Sequence, residues 1–256
     1  MSYLHSFQSE WLKTKRSAAA WLTLAGGLFI PIIILTDLLL NYKTLPVAYT
    51  AVHFWERHFS RSWQFMAFFL LPVGVILASS LIAQLEFRNN AWKQVLTTPQ
   101  QFTTIFFSKL LVIIVMMLQF FVLFSLGIYG SAIIPAVLLQ AVPFPAAPLH
   151  PAGFLKTTAL FFIDCLPIIS LQYLLSLQFK NFLVPIGIGL AIFMAAVIAN
   201  SWKYVYLNPY SYCMVNFSRL QGRSTVNVPL HTFALSYFLL FVVVGFVLFI
   251  QKKEKG

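Results

Sequence analysis

The sequence predicts an all-α, polytopic membrane protein with six transmembrane helices. Two features of composition and one of charge placement carry that expectation. Of 256 residues, 60% are hydrophobic and only 9% are charged, whereas a soluble domain carries roughly 25% charged residues. Apolar runs of about 20 residues, enough to cross a hydrocarbon core, recur along the chain. Lys and Arg, among them Lys13, Lys15, Arg16, Arg88, Lys93, Lys252 and Lys253, are denser in the segments on one side of those runs. That bias places both termini in the cytosol, with the chain in the inner (cytoplasmic) membrane. The net charge of +11 then reads as topology and contact with anionic lipid, with no nucleic-acid partner.

The elements follow in chain order, as one transmembrane domain spanning residues 1–256. Residues 1–17 predict an amphipathic helix, because Leu4, Phe7 and Trp11 share one face while Glu10, Lys13 and Lys15 fall on others. Such a helix lies in the membrane interface with its Trp at headgroup depth. It is either a plain juxtamembrane anchor or an elbow that touches a soluble partner. The segment before Ser17 is too polar for a signal-peptide core, so no cleavable signal is expected. The first span is expected at about 18–40, with Asp37 near its end, and the second at about 63–84.

A polar interruption follows, "EFRNNAWKQVLTTPQQFTTIFFSK" from Glu86 to Lys109. Trp92, Val95 and Leu96 make an i, i+3, i+4 apolar stripe on a short helix. Pro99 ends that helix, since the residue before a proline avoids the α region. A short helix with an apolar stripe has to bury it, on lipid or in a groove of a cytosolic protein. The third span is expected at about 110–129. "AVPFPAAPLHPAG" (Ala141–Gly153) is then a loop or interfacial segment, because its prolines exclude a span. The fourth span, at about 156–177, contains Asp164. A turn at Lys180-Asn181 leads to the fifth span at about 182–202. The last span is expected at about 231–250.

Two features inside the spans stand out. Gly187, Ala191, Ala195 and Ala199 recur every four residues in the fifth span, a spacing that lets helix backbones approach closely. The stripe serves either packing within the chain or pairing between subunits, and Gly26 and Gly27 of the first span fit the second use. Asp164 is a deep charge, and such a group is usually paired, protonated or facing water. It is either a structural hydrogen-bond acceptor or a polar spot on a transport route.

Other candidates are weaker. His53, Glu56 and His58 could gather a metal outside the membrane, but such loop residues are usually just solvated, and no metal is expected. Cys165 and Cys213 are placed too far apart to imply a disulfide. Asn216-Phe-Ser218 matches a glycosylation acceptor, a pattern short enough to arise by chance. Phosphate-loop, zincin, nucleophile-elbow and C-x-x-C patterns are absent from the sequence. Any nucleotide hydrolysis therefore belongs to another chain, and catalytic residues are expected to be none.

"FQSEWLKTKRSAAAWLTL" and "EFRNNAWKQVLTTPQQFTTIFFSKL" together resemble ABC-2 type transporter permeases, in particular small six-span subunits of peptide-export and lantibiotic-immunity systems. The resemblance implies a permease with no cofactor of its own, ATP and Mg being held by a partner ABC ATP-binding subunit. It places Glu86, Trp92, Lys93, Val95, Leu96 and Pro99 in the coupling helix that docks on that subunit. Phe7, Glu10, Trp11 and Lys13 would belong to the elbow helix. It also implies a second permease subunit, identical or related, paired along the first and fifth spans, and outward movement of an amphipathic substrate: a peptide, lipid or drug. A membrane enzyme or a stand-alone secondary transporter is the alternative, disfavoured because only Asp164 is both acidic and deep. A structural membrane scaffold is a third reading.

Overall fold

The computed structural model describes residues 3–84, 102–224 and 226–254. The expected coupling residues Glu86, Trp92, Lys93, Val95, Leu96 and Pro99 lie outside the described residues. Ten α-helices account for most of the described chain. They are α1 (Tyr3–Thr14), α2 (Ala18–Leu40), α3 (Leu45–Tyr49), α4 (Phe54–Phe65), α5 (Leu71–Ala83), α6 (Phe102–Leu138), α7 (Pro151–Gln178), α8 (Leu183–Ile198), α9 (Tyr212–Leu220) and α10 (Leu230–Glu254). Among the described residues six helices are long and apolar enough to cross a membrane: α2, the continuous α4–α5 rod, α6, α7, α8 with its short extension, and α10. The chain is an all-α, multi-pass membrane protein.

Local chemistry explains the breaks. Ser17 caps α2 by accepting from the Ala20 amide at 3.4 Å, so α1 and α2 meet at a corner. A single π-turn, Met66–Leu70, joins α4 to α5. Pro72 lies just past that π-turn, so its missing N–H falls where the i→i−4 pattern is already interrupted. The second span therefore begins at Phe54, well before Trp63. Pro151 opens α7, where a missing N–H costs little.

α7 is the central helix, packed on α5, α8, α9 and α10, while α2 runs along α6. Trp63 stacks on Phe161 at 4.0 Å and meets Phe124 edge-on at 4.9 Å, joining the α4–α5 rod, α6 and α7. The α2–α6 contact needs small residues. A β-carbon on Gly127 would stand 2.7 Å from Cγ of Pro31, and one on Gly27 would stand 3.0 Å from the Phe120 carbonyl oxygen. Gly26 likewise faces the Phe120 ring. Gly26 and Gly27 thus serve packing of α2 on α6 within the chain.

The third span differs from its expected extent. α6 has 37 residues and continues to Leu138, about 55 Å at 1.5 Å per residue. Its far end is held rather than free. Tyr49 donates to the Ala132 carbonyl at 2.8 Å, and burial pushes its hydroxyl up to about 12, so it stays a donor. Trp55 Nε1 donates to the Ala147 carbonyl at 2.9 Å, and the Ala146 amide to the Tyr49 carbonyl at 3.0 Å. Residues 139–150 lack helix, as their prolines demand, yet they fold back on α3 and α4 with Val142 buried. We call this end of the bundle the cap and the opposite end, at Gln84, Phe102 and Gln178, the base.

Candidate functional site

The base is where a partner could act on the bundle. α1 lies against α6, with Phe7 and Trp11 stacked at 6.4 Å and packed on the core. Glu10, on the same helix, holds two lysines. Lys13 bonds to its Oε1, and Lys109 of α6 lies 3.6 Å from its Oε2. Lys109 is only 2% exposed. Burying an ammonium is costly unless a carboxylate and other polar atoms receive it. The pair therefore fixes α1 against the first turns of α6, a few residues after the segment 85–101.

The other end of that segment is anchored too. Gln84 Nε2 donates to the carbonyls of Ser176 at 3.2 Å and Phe179 at 2.7 Å, fastening the end of α5 to the end of α7. Tyr173 donates to the Phe106 carbonyl at 2.9 Å, tying α7 back to α6. Gln84, the last described residue of the second span, and Phe106, near the start of α6, are thus both bonded to α7. Between α7 and α8, Asn181 Oδ1 accepts from the Leu183 amide. Phe179 and Phe182 are exposed at this short turn.

Asp164 occupies a different place, in α7 toward the cap. It is 0% exposed. Its Oδ1 lies 2.8 Å from His231 Nδ1 at the start of α10, and its Oδ2 accepts from Asn216 Nδ2 at 2.6 Å in α9. One carboxylate therefore joins three helices. Asn216 is buried with its amide committed to Asp164, a setting that leaves no room for a glycan. Arg219 closes the following loop by donating to the carbonyls of Val226 and Val228, across a turn in which Gly222 takes φ 65. Cys165 and Cys213 do meet, against expectation, with their sulfurs 3.5 Å apart and both side chains buried. The reason is that α9 folds its buried face, Cys213, Asn216 and Phe217, onto α7 instead of staying in an outer loop.

The remaining candidates separate. Gly187, Ala191 and Ala195 are exposed and Ala199 half-exposed, so the small-residue stripe of α8 faces away from the bundle. His53 pairs with Glu56 at 3.0 Å. His58 turns inward to the Ile128 carbonyl and Ser131, so these three side chains do not converge. Sequence reasoning missed Lys109, Gln84, Asn216 and His231 as partners. Each is polar, but its partner lies 52–99 positions away along the chain, a separation that periodicity does not see.

A family model described as ABC-2 family transporter protein matches residues 6–196, from α1 into α8. That is more than half of the chain. The chain belongs to the ABC-2 transporter family. Comparisons with curated proteins and with solved structures return no match. Membership makes this chain a membrane permease of an ABC system, a transporter subunit and not a catalytic enzyme, that works with an ABC ATPase subunit. The matched span includes both stretches that carried the resemblance, and it includes Glu10, Gln84 and Lys109 at the base of this ABC-2 permease.

Proposed function

We propose that this permease exports an amphipathic substrate, a peptide, lipid or drug, using ATP bound with Mg and hydrolysed on a separate ABC ATP-binding subunit. The base faces the cytosol, with both termini on that side of the inner membrane. The helix bearing Trp92, Val95 and Leu96 docks in a groove of the ATPase, flanked by Glu86, Lys93 and Pro99. The elbow residues Phe7, Glu10, Trp11 and Lys13 support it. Closure of the ATPases moves the docked helix, and Gln84 and Lys109 pass that motion to the spans. A second permease chain pairs through the outward-facing stripe of Gly187, Ala191, Ala195 and Ala199, and membrane lipid fills the remaining apolar surface.

The observation that supports this reading most is the double anchoring of the segment 85–101. Gln84 at one end is bonded to α7, and Lys109 beyond the other is paired with Glu10. The test is co-purification of the ATP-binding subunit with the permease. Trp92→Asp and Val95→Asp put charge into the apolar stripe and should abolish recovery of the ATPase, while the permease still inserts. Undiminished recovery would break the assignment.

A further inference from the structure

We propose that Cys165 and Cys213 form a disulfide that staples α9 to α7. The sulfurs lie 3.5 Å apart on residues 48 positions apart in the chain. A disulfide bond of about 2.05 Å draws them together by about one and a half ångströms. The two helices are already in register, because the adjacent residue Asp164 accepts from Asn216, one turn along α9 from Cys213. The bond therefore locks a contact that the fold has made, and asks for no new helix orientation. α9 is the piece of the cap that lies on the central helix. With the bond formed it stays on α7, and with the thiols reduced it is held there by the Asp164 network and the buried side chains of Met214 and Phe217.

The hydrogen bond with Cys165, and then burial, hold the Cys213 thiol well above its ordinary range. Little thiolate is present in the closed state, and the thiolate is the attacking species. The exchange therefore takes place before α9 seats on α7. One thiolate attacks a sulfur of an oxidising disulfide and displaces its partner as a thiolate, giving a mixed disulfide. The second protein thiolate attacks the protein sulfur of that adduct and displaces the other half. Two protein thiols lose two protons and two electrons, and the oxidant, a disulfide of the thiol–disulfide exchange class, becomes two thiols. Such oxidants act in compartments outside the cytosol, so this part rests on the orientation proposed above.

The experiment has two arms, both on the full chain. In the first, membranes are denatured in N-ethylmaleimide without reductant and digested. A peptide pair joined through Cys165 and Cys213 is expected, which separates after a phosphine reductant. In the second, reduced purified protein is opened with mild denaturant, treated with oxidised glutathione and returned to buffer. The same linked pair is expected, with a thermal midpoint that rises and falls back on reduction. Cys165→Ala and Cys213→Ala should each remove the response while keeping the fold. Full alkylation of both cysteines after the second arm, or glutathione adducts without the linked pair, would overturn the proposal. A linked pair in the second arm with free thiols in the first would support the pairing and refute the outward placement of the cap.

Discussion

The Glu10–Lys109 pair is the sharpest place to test how the elbow is held. Lys109 is 2% exposed and sits 3.6 Å from Glu10 Oε2, so removing the carboxylate takes a counter-charge away from a buried cation. Leaving a buried charge wholly uncompensated costs about 3–5 kcal/mol, which is the upper bound for this change. The second partner of Glu10, Lys13, is half-exposed, and an exposed pair contributes about 0–1 kcal/mol. The loss on Glu10→Ala should therefore be carried almost wholly by Lys109. Lys109→Met removes the charge and keeps an apolar stem, so in that background Glu10→Ala should cost little. A double-mutant cycle should give a coupling of about 2–3 kcal/mol, read as thermal unfolding midpoints of the purified permease in detergent. A cysteine placed on α1 provides a local readout, becoming more reactive to a water-soluble maleimide in Glu10→Ala than in the double variant. Strict additivity in both measurements would refute the argument that this pair pins α1 to α6.

Other expectations can be tested in the same preparations. Gly127→Leu drives a side chain into Pro31 and should cost at least the 1–3 kcal/mol of an overpacked core, visible as a lower unfolding midpoint, whereas Gly187→Leu, with open space at its β-carbon, should leave the monomer's midpoint in place. Asp164→Ala leaves the buried Asn216 amide without its acceptor and should cost about 1–3 kcal/mol. Asp164→Asn with undiminished transport would show that the carboxylate serves structure and not a charged gate. Ala191→Leu or Ala195→Leu should weaken permease pairing, and unchanged cross-linking between subunits would count against the stripe as a dimer surface.

The six spans were readable from the linear chain because each is a local property. Twenty apolar residues in a row cross a bilayer whatever their neighbours do, and the elbow face at Phe7 and Trp11 is set by helical periodicity alone. The boundaries drifted where tertiary contacts extended a helix. α6 passes Tyr129 because Tyr49 bonds to the Ala132 carbonyl and His58 to the Ser131 hydroxyl, and the second span starts early because α4 stacks Trp55 on Tyr129 of α6 and Phe59 on Phe154 of α7. Proline reasoning held for residues 141–150, which lack helix, but failed at 151–153, where Pro151 opens α7, and could not foresee that the loop folds back on α3 and α4.

By itself the sequence determined that this chain lives in a membrane, how many times it crosses and which short stretches stay polar, since hydration and helix period act residue by residue. Only the tertiary structure decided which polar side chains meet. Asp164 with Asn216 and His231, Glu10 with Lys109, and Cys165 with Cys213 are joined across long stretches of chain. Burial in an apolar bundle drives each such group to find a partner, but helix packing, not sequence order, selects which one.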